Sequence, residues 1–348
     1  MPQLATQNSA LPAAAASGWS RLPAEYAIPA TAAALPEAQA YCASLARTHY
    51  ENFSVATWFL PKRLRQHFCN VYAYCRISDD LGDEVGDAAV SLALLDQWQA
   101  ELDACYAGTP KHPVFVALAE TVRQFDIPKQ EFSDLLIAFR QDQTVTRFET
   151  FDDVRAYCRY SANPVGHLVL YVCGYRDAER QRLSDYTCTA LQLANFWQDV
   201  TRDYAKGRIY LPLEDLRAFN VSEDDILCSR NTPAFRAMMQ FEVDRAREWF
   251  RKGLPLVEKV DRELAVDIEL FSRGGLEILR AIERQNYAVL GHRPVISKAR
   301  KLVLAVRAAV GKLFAGGVEN KPPVAGDRVA GDRGAHQDTA KPSGVNKP

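Results

Sequence analysis

No CxxC pair, no GxGxxG loop and no pair of histidines at the spacing of a helical zinc site occurs anywhere in the 348 residues. The eight cysteines, Cys42, Cys69, Cys75, Cys105, Cys158, Cys173, Cys188 and Cys228, are scattered among apolar neighbours without a regular framework. That is the pattern of reduced thiols in an intracellular, cytoplasmic chain, not of a disulfide scaffold. Without paired histidines a zinc enzyme is disfavoured. Charge of one sign is lacking as well: 42 Lys+Arg stand against 43 Asp+Glu, a formal net charge of -1. Nothing therefore draws the whole chain to nucleic acid, and any anion site has to be local. No window reaches the ~20 unbroken apolar residues of a membrane span. The Ala/Pro-rich stretch to about Leu35 lacks a basic start followed by an apolar core, so it does not read as a signal peptide.

What is present suits a large apolar interior. Hydrophobic residues make up 48% of the chain and aromatics 10%, with 14 Tyr and 16 Phe available to line a pocket. Residues 1–35 and 317–348 read as disordered ends, the first Ala/Pro-rich, the second charged and carrying a duplicated VAGDR. Between them, over 36–316, apolar residues recur every three or four positions and strand-like alternation is scarce. The spacing predicts helices over about 37–50, 61–84, 88–107, 111–125, 129–142, 151–173, 177–204, 231–255, 261–290 and 297–314, with prolines at starts or breaks and glycines at ends. The expected fold is all-α, a large single-domain helical bundle.

Two places in that bundle carry unusual acids. On the helix from Pro61, an apolar stripe runs Leu64, Phe68, Val71/Tyr72, Cys75, and its next steps land on Asp79 and Asp83. One turn separates the two acids, so both project from one face, with Asp80 and Glu84 beside them. Acids set side by side towards a core are costly unless cations neutralise them. Magnesium suits such a cluster, since it takes hard oxygen ligands from one or two carboxylates and from phosphate. The bland alternative is a solvated acidic helix end. A second segment repeats the pattern: Cys188, Gln192, Asn195, Asp199 and Asp203 share one stripe, followed by Lys206, Gly207 and Arg208. Here Asn195 offers an uncharged oxygen, and Lys206 and Arg208 offer cations for phosphate. Acids projecting inward from separate helices are how bundles build metal sites. A di-iron bundle would need Glu-x-x-His pairs, which are absent.

Three segments, CRISDDLGDE (Cys75–Glu84), YCRYSANPVG (Tyr157–Gly166) and NFWQDVTRDYAKGRIYLP (Asn195–Pro212), resemble the squalene and phytoene synthase family in order and spacing, over about His49 to Lys301. The resemblance implies an all-helical isoprenoid synthase fold that binds an isoprenoid diphosphate through magnesium ions. By it, Asp79, Asp80 and Asp83 form a first metal-binding motif with Arg76 facing the diphosphate, and Asn195, Asp199 and Asp203 form the second. Tyr160 matches the tyrosine of the central segment, near the carbocation or leaving group. Phe53, Tyr72, Phe196, Trp197 and Tyr160 are candidates to line the pocket, since ring faces steady cations.

Departures from the family pattern narrow the expectation. His49-Tyr50-Glu51-Asn52-Phe53 replaces a Ser-x-Ser-Phe segment, Gln198 stands where an arginine is usual, Asn163-Pro164 replaces Ala-Gly, and Arg273-Gly274-Gly275 lacks a tyrosine. These resemble the bacterial hopanoid-pathway subgroup, which converts presqualene diphosphate to hydroxysqualene by adding water. On that reading Gln198 weakens the hold on a second diphosphate, and Glu51, Asn52, Asn163 and free space at Gly275 admit a water molecule. The rivals are head-to-head condensation of two prenyl diphosphates and, from another class, a non-catalytic relative serving assembly. The run Lys301–Phe314 reads as a packed amphipathic helix, with contact to the inner membrane surface as a secondary expectation. Neighbouring pathway enzymes are the protein partners the resemblance suggests.

Overall fold

The computed structural model describes residues 18–48 and 62–297. Within them run the helices α1 (Leu35–Thr48), α2 (Arg65–Asp83), α3 (Ala88–Ala107), α4 (Pro113–Phe125), α5 (Lys129–Gln141), α6 (Phe151–Ser161), α7 (Asn163–Val172), α8 (Ala178–Ala205), α9 (Leu213–Ala218), α10 (Glu223–Leu227), α11 (Pro233–Gly253) and α12 (Arg262–Arg284). Among the described residues there is no strand, only an isolated parallel bridge between Arg147 and Ile209. The predicted all-α class is the observed one. No helix among the described residues is long and apolar enough to cross a membrane. The run Lys301–Phe314, with the helix predicted there, lies outside the described residues.

Helix ends follow local chemistry. Asp87, Asp177 and Asp261 each accept a hydrogen bond from a backbone N–H in the first turn of α3, α8 and α12, satisfying donors that the helix leaves unpaired. Thr150 and Asp153 form a reciprocal capping box at the start of α6. Gly108 closes α3 at φ +83, a left-handed conformation that L side chains resist.

Three expectations change. The single helix predicted over 151–173 is two, broken at Ala162, because Pro164 lacks an N–H and its ring crowds the preceding turn. The last helix stops at Arg284 instead of 290, where Asn286 and Tyr287 turn left-handed at φ +49 and +59. Residues 18–34, expected to be disordered, are placed against the bundle: they form short 3-10 turns at Trp19–Arg21 and Ala24–Tyr26, and Tyr26 is buried.

Helix α2 packs on α1, α3, α4 and α5 around one aromatic core, in which Tyr74, Trp98, Phe115 and Phe132 are fully buried. Helix α8, 28 residues and so about 42 Å long, packs on α6, α7, α11 and α12 around a second core holding Trp197, Phe235 and Met238. The C-terminal end of α2, where the first acids lie, is joined to the chain just past α8 by ion pairs of Lys206 and Arg208 with Asp83.

Candidate active site

Asp83 joins the two predicted motifs. Its Oδ2 accepts a hydrogen bond from Lys206 Nζ at 2.9 Å and its Oδ1 one from Arg208 Nη1 at 3.0 Å, so the last turn of α2 is clamped to the chain leaving α8. Those two cations hold the Asp83 carboxyl below its ordinary range, although burial alone would raise it. Asp79 and Asp203 are less fully compensated. Asp79 is pushed up to about 6, first by burial and next by the charge of Asp83. Asp203 is pushed up to about 7, by burial and then by Asp199, with Asp83 adding to it. Asp83 of the first pair thus bears on Asp203 of the second. Asn195, one turn before Asp199, is exposed on the same face of α8.

Asp80 plays a different part from its neighbours. The inward stripe of α2 was expected to carry Asp79 and Asp83, but half of the Asp79 side chain meets solvent, whereas Asp80 is 4% exposed. Its Oδ2 accepts from Tyr26 Oη at 2.8 Å and from Arg76 Nε at 3.0 Å, and its Oδ1 accepts from Arg76 Nη2. Both oxygens are therefore engaged, and the carboxylate is turned into the protein, away from solvent. Arg76 Nη1 reaches towards Asp79, 3.6 Å away. Tyr72 lies within reach of the same charges: burial raises its hydroxyl pKa first, and Arg76, Asp80 and Asp79 act on it in turn.

Behind the acids stands a group that the sequence did not announce. Asp142, just past α5, accepts a hydrogen bond from Tyr157 Oη at 2.9 Å. Its carboxyl is pushed up to about 6 by burial, against the charge of Arg208 and the bond from Tyr157. Tyr210 stacks on Phe196 with ring centroids 3.9 Å apart and lies 5.6 Å from Tyr157. Two loops hold this wall together. Ile209 N–H donates to Thr146 O, Leu213 N–H to Phe148 O, and Arg147 donates to Gly207 O at 2.7 Å. Tyr157, not Tyr160, is the tyrosine of the central segment that bonds to an acid of the cleft. Tyr160 is half-buried at the edge of the second core, with the Arg159 guanidinium 5.8 Å from its ring. Counting would have shown this, since Val154, Tyr157 and Cys158 form the buried face of α6 and Tyr160 falls about 120° from its centre.

Several expected pocket residues lie elsewhere. Trp197 is fully buried and donates its indole N–H to Glu242 O at 3.2 Å, in the core between α8 and α11. Two residues before Asp199, it points about 200° away around the helix. Gln198 is also buried. Its amide donates to Pro294 O at 2.5 Å, and its oxygen accepts from Arg293 Nη2 at 3.0 Å. Arg293 in turn grips Asp199 with two hydrogen bonds of 2.6 and 2.7 Å. The arginine missing at position 198 is thus supplied by the segment after α12, which no local motif foretold. Gly275 offers no free space: a Cβ there would stand 2.3 Å from the Phe250 ring and 2.9 Å from Leu191. Asn163 accepts from Thr189 Oγ1 at 3.1 Å and opens onto a separate cleft of about 390 Å³ with Arg155, Arg159 and Arg182. Glu51, Asn52 and Phe53 lie outside the described residues.

The donor set suits a hard divalent cation shared with a ligand. Among the described residues no three carboxylate, imidazole or thiol groups converge on one point. A small divalent ion bound through one or two carboxylates and completed by water and phosphate oxygens does not require that. Asp79 and Asp203, holding their protons well above the ordinary range, are acids short of positive charge. Lys206, Arg208 and Arg293 supply only part of it.

The family model for squalene/phytoene synthase matches residues 46–300. The 15-cis-phytoene synthase of Synechococcus elongatus is 33% identical over 286 residues, 78% of this chain and 92% of that protein. Squalene synthase HpnC from Alicyclobacillus acidocaldarius is 45% identical in its crystal structure, with a TM-score of 0.70 over 78% of this chain and 98% of that one. A dehydrosqualene synthase crystallised with a ligand is 27% identical, with a TM-score of 0.73 over 80% of this chain and 98% of that one. An all-helical bundle carrying acid pairs at the ends of α2 and α8, together with these matches, leads to one assignment: the chain belongs to the squalene/phytoene synthase family.

Proposed function

We propose that this protein is a hydroxysqualene synthase, which ionises presqualene diphosphate and lets water capture the carbocation, giving hydroxysqualene and diphosphate. The observation that supports the ionisation is the clamp of Lys206 and Arg208, just past the second acid pair, onto Asp83 of the first. Asp79, Asp83, Asn195, Asp199 and Asp203 would hold magnesium, which when bound supplies charge neutralisation to the leaving diphosphate. Arg76, Lys206, Arg208 and Arg293 add fixed positive charge around the same group, so little reorganisation is needed as it departs. The rings of Tyr72, Tyr157 and Tyr210 favour a cation and keep bulk water out. Capture by water forms one C–O bond and releases one proton. Asp142, with its carboxyl at about 6, has the basicity of a proton acceptor near neutral pH.

The choice of water as the captor rests on the resemblance of Gln198 and the Asn163-Pro164 step to the hopanoid-pathway subgroup, and identity is 45% with a squalene synthase HpnC against 33% with a phytoene synthase. The geometry at Gly275 and Asn163 does not add to it, since the one faces packed side chains and the other a separate cleft. A second reading, head-to-head condensation of two prenyl diphosphates to presqualene diphosphate, dehydrosqualene or phytoene, is favoured by Arg293, which returns an arginine to the second motif. A non-catalytic relative would be expected to have eroded acids, and here both pairs are intact. Purified protein with magnesium is incubated with presqualene diphosphate and, separately, with farnesyl diphosphate, and the products are identified by mass spectrometry. Hydroxysqualene from the first and nothing from the second is expected; turnover of farnesyl diphosphate alone would transfer the assignment to condensation.

A further inference from the structure

We infer that the segment ahead of α1 belongs to the working parts of the site, with Tyr26 a positioning residue that sets Arg76 through Asp80. The inference rests on the diphosphate-binding reading of the cleft. Residues 18–34 lie before the span matched by the family model, which begins at residue 46, yet they are fastened across the first core at several points. Trp19 Nε1 donates to Gln97 on α3 at 3.0 Å, and Arg21 Nη1 donates to Val85 O, just past α2, at 3.1 Å. Glu25 O meets Tyr41 Oη and His112 Nε2, each at 3.2 Å. Gly18 comes so close to α3 that a Cβ would stand 2.4 Å from Val90. These contacts hold the Tyr26 ring, 1% exposed, with its hydroxyl aimed at Asp80.

The consequence lies one residue further on. A buried carboxylate with a single partner could pivot, but Asp80 is held from one side by Tyr26 and from the other by two nitrogens of Arg76. The Arg76 fork is thereby fixed with Nη1 turned to Asp79 and the open cleft. A guanidinium locked in this way offers a diphosphate oxygen a donor that need not be ordered on binding, which is how a supporting shell adds to affinity. Tyr26 touches neither substrate nor ion in this scheme. It acts only through Asp80.

Calorimetric titration of the full chain with inorganic pyrophosphate and magnesium tests this without relying on turnover. Tyr26→Phe keeps the buried ring and removes only the hydroxyl. Loss of a hydrogen bond to a charged group should weaken pyrophosphate binding roughly tenfold. In an Arg76→Ala background the same change should cost nothing further, because the group that Tyr26 sets is gone. Trp19→Phe, which loosens one of the contacts that hold the Tyr26 ring, should weaken pyrophosphate binding in the same direction by a smaller factor. Should Tyr26→Phe not fold, Asp80→Asn carries the same comparison. Wild-type affinity in Tyr26→Phe, or an equal loss with and without Arg76, overturns the inference. If the wild-type chain itself binds no pyrophosphate, the diphosphate reading falls and the inference falls with it.

Discussion

His167 on α7 is bonded on both sides, and replacing it should make the stability of this protein depend on pH in a defined way. Its Nδ1 lies 2.9 Å from Glu131 Oε2 on α5 and its Nε2 2.8 Å from Asp185 Oδ1 on α8, so one imidazole ties three helices. Burial would lower its pKa, but the bonds and charges of Asp185 and Glu131 outweigh burial and raise it from 6.5 to about 9. That rise corresponds to at most about 3 kcal/mol. Since the Asp185 side chain is 34% exposed, solvent screening reduces this to about 2 kcal/mol. A group whose folded pKa is raised contributes its full stability below the unfolded value and loses it as pH rises through the folded one. His167→Gln removes the charge and leaves two carboxylates facing each other. Urea unfolding of the wild type and the variant at pH 6, 7.5 and 10 should show a gap of about 2 kcal/mol at pH 6 that closes by pH 10. Taking the difference cancels the other titrating groups. A gap that stays constant over this range would refute the reasoning.

Two further outcomes follow from contacts the sequence did not foretell. Gly275→Ala should destabilise the fold by about 1–3 kcal/mol by overpacking, because its Cβ would meet Phe250 and Leu191; adding Phe250→Leu should recover most of the loss in a thermal melt, and no recovery would mean the clash lies elsewhere. Arg293→Gln breaks a partly exposed ion pair with Asp199, so stability should move by less than about 1 kcal/mol while magnesium-pyrophosphate affinity drops several-fold by calorimetry; unchanged affinity would make Arg293 a structural contact only.

The residues that were legible are those that local geometry alone groups together. Asp79 and Asp83, or Asp199 and Asp203, stand one turn apart on a helix that the sequence predicts, so periodicity alone puts each pair on one face. Joining the first pair to the chain past the second is a tertiary fact, and it depends on Lys206 and Arg208 reaching Asp83 across 123 and 125 residues of sequence. Asp142, Arg293 and Tyr26 were illegible for the same reason: none belongs to a periodic acid pattern, and each is bonded to a partner on another element. Trp197 was expected near the acids through neighbourhood in sequence, but on a helix a residue two places from Asp199 faces the opposite way. Gly275 shows a subtler failure. A missing side chain reads as empty space, whereas here the volume belongs to Phe250 from another helix.

The turns ahead of α1 also bear on how this protein is divided for experiment and for recombination. A fragment cut at the start of the family match would retain Asp79, Asp83, Asp199 and Asp203 and lose the hydroxyl that holds Asp80. The heritable unit is therefore wider than the domain boundary that similarity draws. A chimera that exchanges α2 and α3 with a relative should carry residues 18–34 from the same parent, since Gln97, Val85 and Asp80 form the other half of that fit.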